Sequence, residues 1–329
     1  MKIDVIINVY GKPLQTGLSL MSLMKHSGKW IDRIYFQQEP EVPPFEVGLP
    51  EHNPISFYRD RAREYFSDRI IHFRPKHFNF TMRSNATRLA RDAAYRLSMR
   101  YQHGFENSDK DFALLLHNDV LVTDDVAGAM LESIGEHAGV GVIGTCEICP
   151  AHHLGKCDRS AYSEYRPNFK ELEALYKAFE GNPNYLRRYD FFNSDFRQRP
   201  WPLPECRLCE WACLINLKKT RKRTMPFGSG MPIGTYPSGG SSNLDIGAAW
   251  FRDMNAMGLA FKHFDLGGYV EHNHGHMTLC DARLHYYQEY RALKTLEREY
   301  PEFLNKSVNR TEPVYVPQIA KAAEYRTWG

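Results

Sequence analysis

The chain has 329 residues, 43% of them hydrophobic and 25% charged, with a formal net charge of +3. That balance excludes a disordered chain and a bulk polycation, and the length fits one large domain or two modest ones. No apolar stretch is long enough to cross a bilayer, so no membrane span is expected.

Residues 3–9 read as a first strand. No signal-peptide pattern precedes it, so a cytoplasmic protein is expected. Pro13 and Gly17 frame a turn, and 18–24 reads as a helix. A second strand follows at 31–36. Pro40, Pro43, Pro44, Pro50 and Pro54 then mark a long surface loop. A third strand is expected at 70–73 and a helix over 84–101, with Arg88, Arg91 and Arg96 at its polar positions. A fourth strand occupies 112–116. Asp124 and Asp125 suit the start of the next helix, and 140–143 is a fifth strand. Alternating strands and helices predict an α/β fold, a mostly parallel sheet with helices on both faces.

After residue 145 the alternation breaks. A helix is expected near 170–180 and a strand at 211–217. A glycine- and serine-rich loop spans 228–242. A helix over 245–257 closes at Gly258. Short strands at 259–264 and 268–270 lead to a helix over 281–299, which ends before Pro301. The remainder reads as a loosely packed arm.

Three constellations carry chemistry. The first is the apolar run Leu114-Leu115-Leu116 ending in His117-Asn118-Asp119. Ligands bind at the carboxyl ends of strands in open α/β sheets. A carboxylate there can hold a divalent cation and, through it, a phosphate-bearing substrate. A strand followed by a polar turn is the plainer reading. The second is Glu271-His272-Asn273-His274-Gly275-His276, whose alternating imidazoles face one way in an extended segment. They suit Mn²⁺ or a general base, provided that Asp119 folds nearby. The third is Asp245, which follows the mobile-looking loop. It reads either as a helix N-cap or as a general base on a closing loop.

The cysteines lie at 146, 149, 157, 206, 209, 213 and 280. Cys146 and Cys149, and Cys206 and Cys209, form two Cys-x-x-Cys pairs with Cys157 between them. Four of these five thiolates would suit a structural Zn²⁺, with His152 and His153 in reserve. Buried free thiols are the alternative, and the expected state of Cys213 and Cys280. The run Lys218-Lys219-Thr220-Arg221-Lys222-Arg223 reads as a solvated loop or as a patch for an anionic partner such as nucleic acid.

Taken in order, these pieces resemble the family 2 glycosyltransferases of the GT-A fold. Val5-Ile6-Ile7-Asn8-Val9-Tyr10-Gly11 stands where that family has Val-Ile-Ile-Pro-Val-Tyr-Asn. Met82-Arg83-Ser84-Asn85 is similar to its Ala-Arg-Asn pattern, and His117-Asn118-Asp119 occupies its Asp-x-Asp metal motif. Ser242-Asn243-Leu244-Asp245-Ile246, with Arg252 and Gly258, matches the layout of its Glu-Asp-x-Asp-Leu segment. Val270-Glu271-His272-Asn273-His274 resembles its late Val-x-His segment.

The resemblance spans about residues 2–278. It implies a GT-A (Rossmann-like) domain over 1–278, with a nucleotide-sugar half at 1–145, a Cys-rich insertion at 146–210 and an acceptor half at 211–278. A C-terminal helix and arm follow at 279–329. It also implies transfer from a nucleotide-diphosphate sugar, a UDP-sugar being expected, to an acceptor hydroxyl with inversion. Mn²⁺ or Mg²⁺ would be held by Asp119, His272 and His274. Val9, Tyr10, Gln38, Arg83, Asn85, His117 and Asn118 would bind the donor, and Asp245 would be the base. The acceptor would be a glycan or a nucleic acid, such as a modified DNA base.

The chain departs from the family pattern at three places. His117 replaces the first Asp of the metal motif, and Ser242-Asn243 replaces Glu-Asp. Gln37-Gln38-Glu39 ends the second strand, which leaves the nucleotide open. The competing class is a non-enzymatic zinc-containing nucleic-acid-binding protein, built on the Cys pairs and the basic run. It leaves Asp119, Asp245 and the histidines without a role.

Overall fold

The computed structural model describes residues 1–41, 61, 64–66, 69–78, 84–181, 194–235, 244–272 and 282–305. Among them are nine strands: β1 Ile3–Val9, β2 Ile31–Gln38, β3 Ile70–Phe73, β4 Phe112–His117, β5 Val120–Val122, β6 Gly139–Ile143, β7 Leu208–Asn216, β8 Phe261–His263 and β9 Val270–His272. Seven form one sheet in the order β3-β2-β1-β4-β7-β6-β8. β7 runs antiparallel to both of its neighbours, and the other pairings are parallel. β5 and β9 form a separate antiparallel pair.

The apolar runs are continuous because both faces of the sheet are covered. Ile3, Val5, Ile7 and Val9 of β1 and Leu114 and Leu116 of β4 point into one core. That core is shared with the helix Pro13–Ser27 and with Leu293 and Leu296 of the helix Ala282–Glu299. Ile6, Ala113 and Leu115 point into the other. There they meet Cys149, Tyr162, Leu172 and Tyr176 of the Cys-rich segment, and Trp250 and Phe251. The α/β architecture expected from the alternation of elements is therefore present, and the described part of the Cys-rich segment packs against the same sheet through Cys149, Tyr162, Leu172 and Tyr176.

Local chemistry moves several boundaries. The helix expected over 84–101 is broken into Ala86–Arg91 and Ala93–Leu97, and a third helix, Gln102–Asn107, follows beyond it. Asp92 is extended, and its side chain accepts from Tyr95 N at 3.0 Å, so it caps the second helix instead of continuing the first. Tyr101 sits at φ 67 and separates the third. The basic run is not a loop. It forms the helix Leu217–Thr220 and a single 3₁₀ turn, Arg221–Arg223. Lys219 pairs with Glu136 at 2.7 Å, and Arg221 donates to Ser108 O at 2.7 Å. Part of that positive charge therefore serves the protein itself.

The helix Pro13–Ser27 begins earlier than the expected residue 18, with proline in its first turn. Lys12, at its N-cap, makes no side-chain capping bond. The cap comes instead from the C-terminal helix: Glu289 accepts from Leu14 N at 2.8 Å and Gln15 N at 3.2 Å. A carboxylate at a helix N-terminus satisfies orphan N–H groups and suits the helix dipole. The C-terminal helix thereby fixes the segment that leaves β1.

Candidate active and metal site

The site is built where β4 ends beside β1. His117 is the last residue of β4 and pairs with Asn8. Asn118 and Asp119 turn the chain into β5, whose first residue, Val120, is paired across the small sheet with His272. That pairing carries His272 to Asp119. His272 Nε2 lies 3.3 Å from Asp119 Oδ1, and His117 Nδ1 lies 3.9 Å from the same oxygen. One ligand atom from each of the three residues lies within 4.8 Å of the others, and among the described residues no other group of three or more does so. The Trp211 ring stacks on His272, with centroids 4.9 Å apart and planes 2° from parallel.

The donor chemistry fits a divalent cation. Asp119 is 2% exposed. Burial would raise its carboxyl, but Lys12 and the two imidazoles outweigh that and hold it well below the usual carboxylate range. Burial lowers His117 despite the nearby Glu210 carboxylate, which favours the neutral imidazole that ligates metal. Among the described residues, neither His117 Nε2 nor His272 Nε2 finds a well-aligned hydrogen-bond partner.

Three residues that sequence reasoning passed over complete the site. Lys12 Nζ is 2.7 Å from Asp119 Oδ2, with both side chains almost fully buried. Glu210 Oε1 lies 3.7 Å from His117 Nε2. Arg207 holds Glu210 Oε2 at 2.7 Å and reaches Asp245 Oδ2 at 3.1 Å. Burial raises Glu210, but Arg207 and His117 overcome it and bring the carboxyl down to about 2. The signal for Glu210 was a single carboxylate inside the apolar stretch Leu208–Asn216, where an unpaired charge is costly. A chain of polar contacts thus runs from Lys12 and Asp119 through the His117 imidazole to Glu210, Arg207 and Asp245.

The other expected donor-site residues fall as follows. The Asn118 amide donates to Gly11 O at 3.0 Å and Thr16 Oγ1 at 2.9 Å, so it ties β4 to the start of the helix Pro13–Ser27. The Val9 side chain lies in the core. The Tyr10 ring packs 5.3 Å from Phe78. Gln38 Oε1 pairs with His72 Nε2 at 3.1 Å. Asn85 caps the helix Ala86–Arg91 by accepting from Arg88 N at 2.9 Å. Arg83, His274 and Cys280 lie outside the described residues. Asp245 does not cap a helix: the helix Ala248–Ala256 begins after Gly247, which sits at φ 84. The Asp245 side chain is 44% exposed, and Oδ1 accepts from Ile246 N at 2.8 Å.

The cysteines need a correction. Cys146, Cys149, Cys157 and Cys206 do line one small cavity, together with Arg159 and Glu205. Their sulfurs form no group tight enough to share one ion, so the expected structural zinc is not supported. Cys209 does not line this cavity, and its Sγ lies 3.7 Å from Gly144 O. Burial pushes the Cys146 thiol up to about 12 and Cys209 to about 11, as suits protonated free thiols.

No family model matches the chain, and no curated protein matches it. Among solved structures the chain is similar to a mannosyltransferase from Pyrobaculum calidifontis in complex with GDP-mannose and Mn²⁺. The two are 9% identical over 91% of this chain and 64% of that one, with a TM-score of 0.42. S. aureus TarS 1–349 is 10% identical over 90% of this chain and 66% of that one, with a TM-score of 0.37. Mouse xyloside xylosyltransferase 1 is 10% identical over 81% of this chain and 86% of that one, also with a TM-score of 0.37. The chain spans just under two thirds of the length of the first two. At these scores the likeness carries no functional argument, and the residues of the site must carry it.

Proposed function

We propose that this chain is a GT-A glycosyltransferase, akin to family 2, that moves a sugar from a nucleotide-diphosphate sugar to an acceptor hydroxyl. One observation carries the reading: His117, Asp119 and His272 converge on one point at the carboxyl end of a central strand. Two imidazoles and one carboxylate suit Mn²⁺ better than Mg²⁺, which prefers an all-oxygen shell. A divalent cation held there by His117, Asp119 and His272 would supply positive charge facing the departing diphosphate.

The chain's own residues supply the rest. Glu210 faces His117 and Trp211 lies flat against His272, so both imidazoles are oriented from behind. Tyr10, just beyond β1, is the proposed contact to the nucleotide. Asp245 is the proposed base. It is the accessible carboxylate of that chain of contacts, whereas Glu210 is buried and held near 2 by Arg207, too weak to take a proton from a hydroxyl. Inverting in-line attack, a UDP-sugar donor, a glycan or nucleic-acid acceptor and a cytoplasmic setting belong to the same proposal. So does the division into donor (1–145) and acceptor (211–278) halves.

A thermal-shift screen of nucleoside diphosphates with Mn²⁺ and Mg²⁺ tests this reading. UDP at 100 times its Kd should stabilise the protein by about 2.7 kcal/mol in the presence of the metal. Asp119→Ala should lose the metal-dependent shift. Asp245→Ala should keep the shift and lose sugar transfer. The reading fails if no nucleoside diphosphate shifts the wild-type protein with either metal.

A further inference from the structure

Asp119 divides its carboxylate between two kinds of partner. Oδ1 faces His117 and His272, and Oδ2 takes the Lys12 ammonium at 2.7 Å. The ion pair is almost fully buried. For stability alone, a buried ion pair is often no better than an apolar pair of the same size. The backbone is also committed to it. Lys12 adopts φ 55, ψ 54, a left-handed conformation that costs a residue with a side chain of order 1 kcal/mol. That conformation is fastened from both sides: Gly11 O accepts from Asn118 Nδ2, and Lys12 O accepts from both Thr16 N and Thr16 Oγ1. Capping of the following helix, the usual task of a residue in this place, has passed to Glu289. The long side chain is left aimed at the metal-binding carboxylate.

We infer that Lys12 is a donor-binding residue, an ammonium parked on Asp119 that turns to the diphosphate of the donor when the divalent cation takes up the carboxylate. This rests on the glycosyltransferase reading above. Its consequence is a pair of effects with opposite signs. Lys12 competes with the metal for the charge of Asp119, so it weakens the binding of metal alone. It also adds a charge-assisted contact to the diphosphate, so it strengthens the binding of donor.

The test compares wild type with Lys12→Met, which keeps the length and loses the charge, and with Lys12→Arg, which keeps the charge. Mn²⁺ alone is titrated by the loss of its free electron-spin signal. UDP and inorganic pyrophosphate are titrated by calorimetry in saturating Mn²⁺. In Lys12→Met, Mn²⁺ alone should bind more tightly, while UDP and pyrophosphate should each bind about tenfold more weakly or worse. Lys12→Arg should stay within about threefold of wild type for all three. Should Lys12→Met fail to fold, the side-chain nitrogen resonance of Lys12 in labelled wild-type protein, assigned by its absence from Lys12→Arg, should move on addition of pyrophosphate with diamagnetic Mg²⁺. Parallel loss of Mn²⁺ and diphosphate binding in Lys12→Met would mean a merely structural lysine and overturn the inference. Unchanged binding of both, or an unmoved resonance, would overturn it too. If wild type binds Mn²⁺ but neither UDP nor pyrophosphate, the glycosyltransferase reading fails along with it. If wild type binds both and only Lys12→Met behaves otherwise than stated, that reading stands and the role of Lys12 falls.

Discussion

Glu210 shows how one buried side chain ties the chemistry of the site to the stability of the protein. Its carboxyl is held at about 2 when folded, against an ordinary value of 4.5. A depressed folded value means that the ionised form is favoured in the fold. Its contribution to stability is therefore present above about pH 4.5 and lost as the pH falls toward 2. His117 works in the same direction from a higher pH. Burial lowers its folded value below 6.5, so the unfolded chain gains a proton first and stability declines as the pH drops through that point. The melting temperature should accordingly fall steadily from pH 7 to pH 4. Glu210→Gln should lower it at neutral pH and flatten the acid end of the profile. A variant whose profile keeps the wild-type slope below pH 4.5 would show that Glu210 does not supply that term.

At the scale of elements, one helix completes another. The helix Pro13–Ser27 starts with its own cap residue engaged elsewhere, and Glu289 of the helix Ala282–Glu299 binds its first free N–H groups. Glu289→Ala should cost about 1–2 kcal/mol, the ordinary worth of a helix cap, measured by urea unfolding. Because the same turn carries Lys12, the variant should also weaken UDP binding in Mn²⁺, read by calorimetry. If stability and UDP affinity both stay at the wild-type level, the cap carries no weight. The small β5–β9 sheet is a second example. It has little core of its own, yet the pairing of Val120 with His272 is what delivers an imidazole to Asp119.

At the scale of the whole molecule, the Cys-rich segment behaves as core. Cys149, Cys157, Cys206 and Cys213 share one buried cluster with Leu115, Trp250 and Phe251. The six described cysteines are free and buried. They should react with a thiol reagent such as Ellman's reagent slowly in the native protein and readily in denaturant, and zinc analysis should find less than about half an equivalent. Rapid native reaction, or one full equivalent of zinc, would refute this packing. Strands β1, β4 and β6 were legible in the sequence because their apolar runs suit burial on both faces of the sheet, and β3 as a short apolar segment at its edge. Asp119 was legible for the same reason, as the first carboxylate after such a run. The break at Asp92 was not, because there a local side-chain bond to the backbone overrode helical periodicity. Glu210, Lys12 and Arg207 escaped because a charge in a strand or turn acquires meaning only from the partner that folds against it. By itself the sequence determined the α/β class, most of the strands and the carboxylate of the site. Only the tertiary structure decided that Lys12 shares that carboxylate, that His272 reaches it and that the cysteines serve as core, because these depend on contacts between segments far apart in the chain.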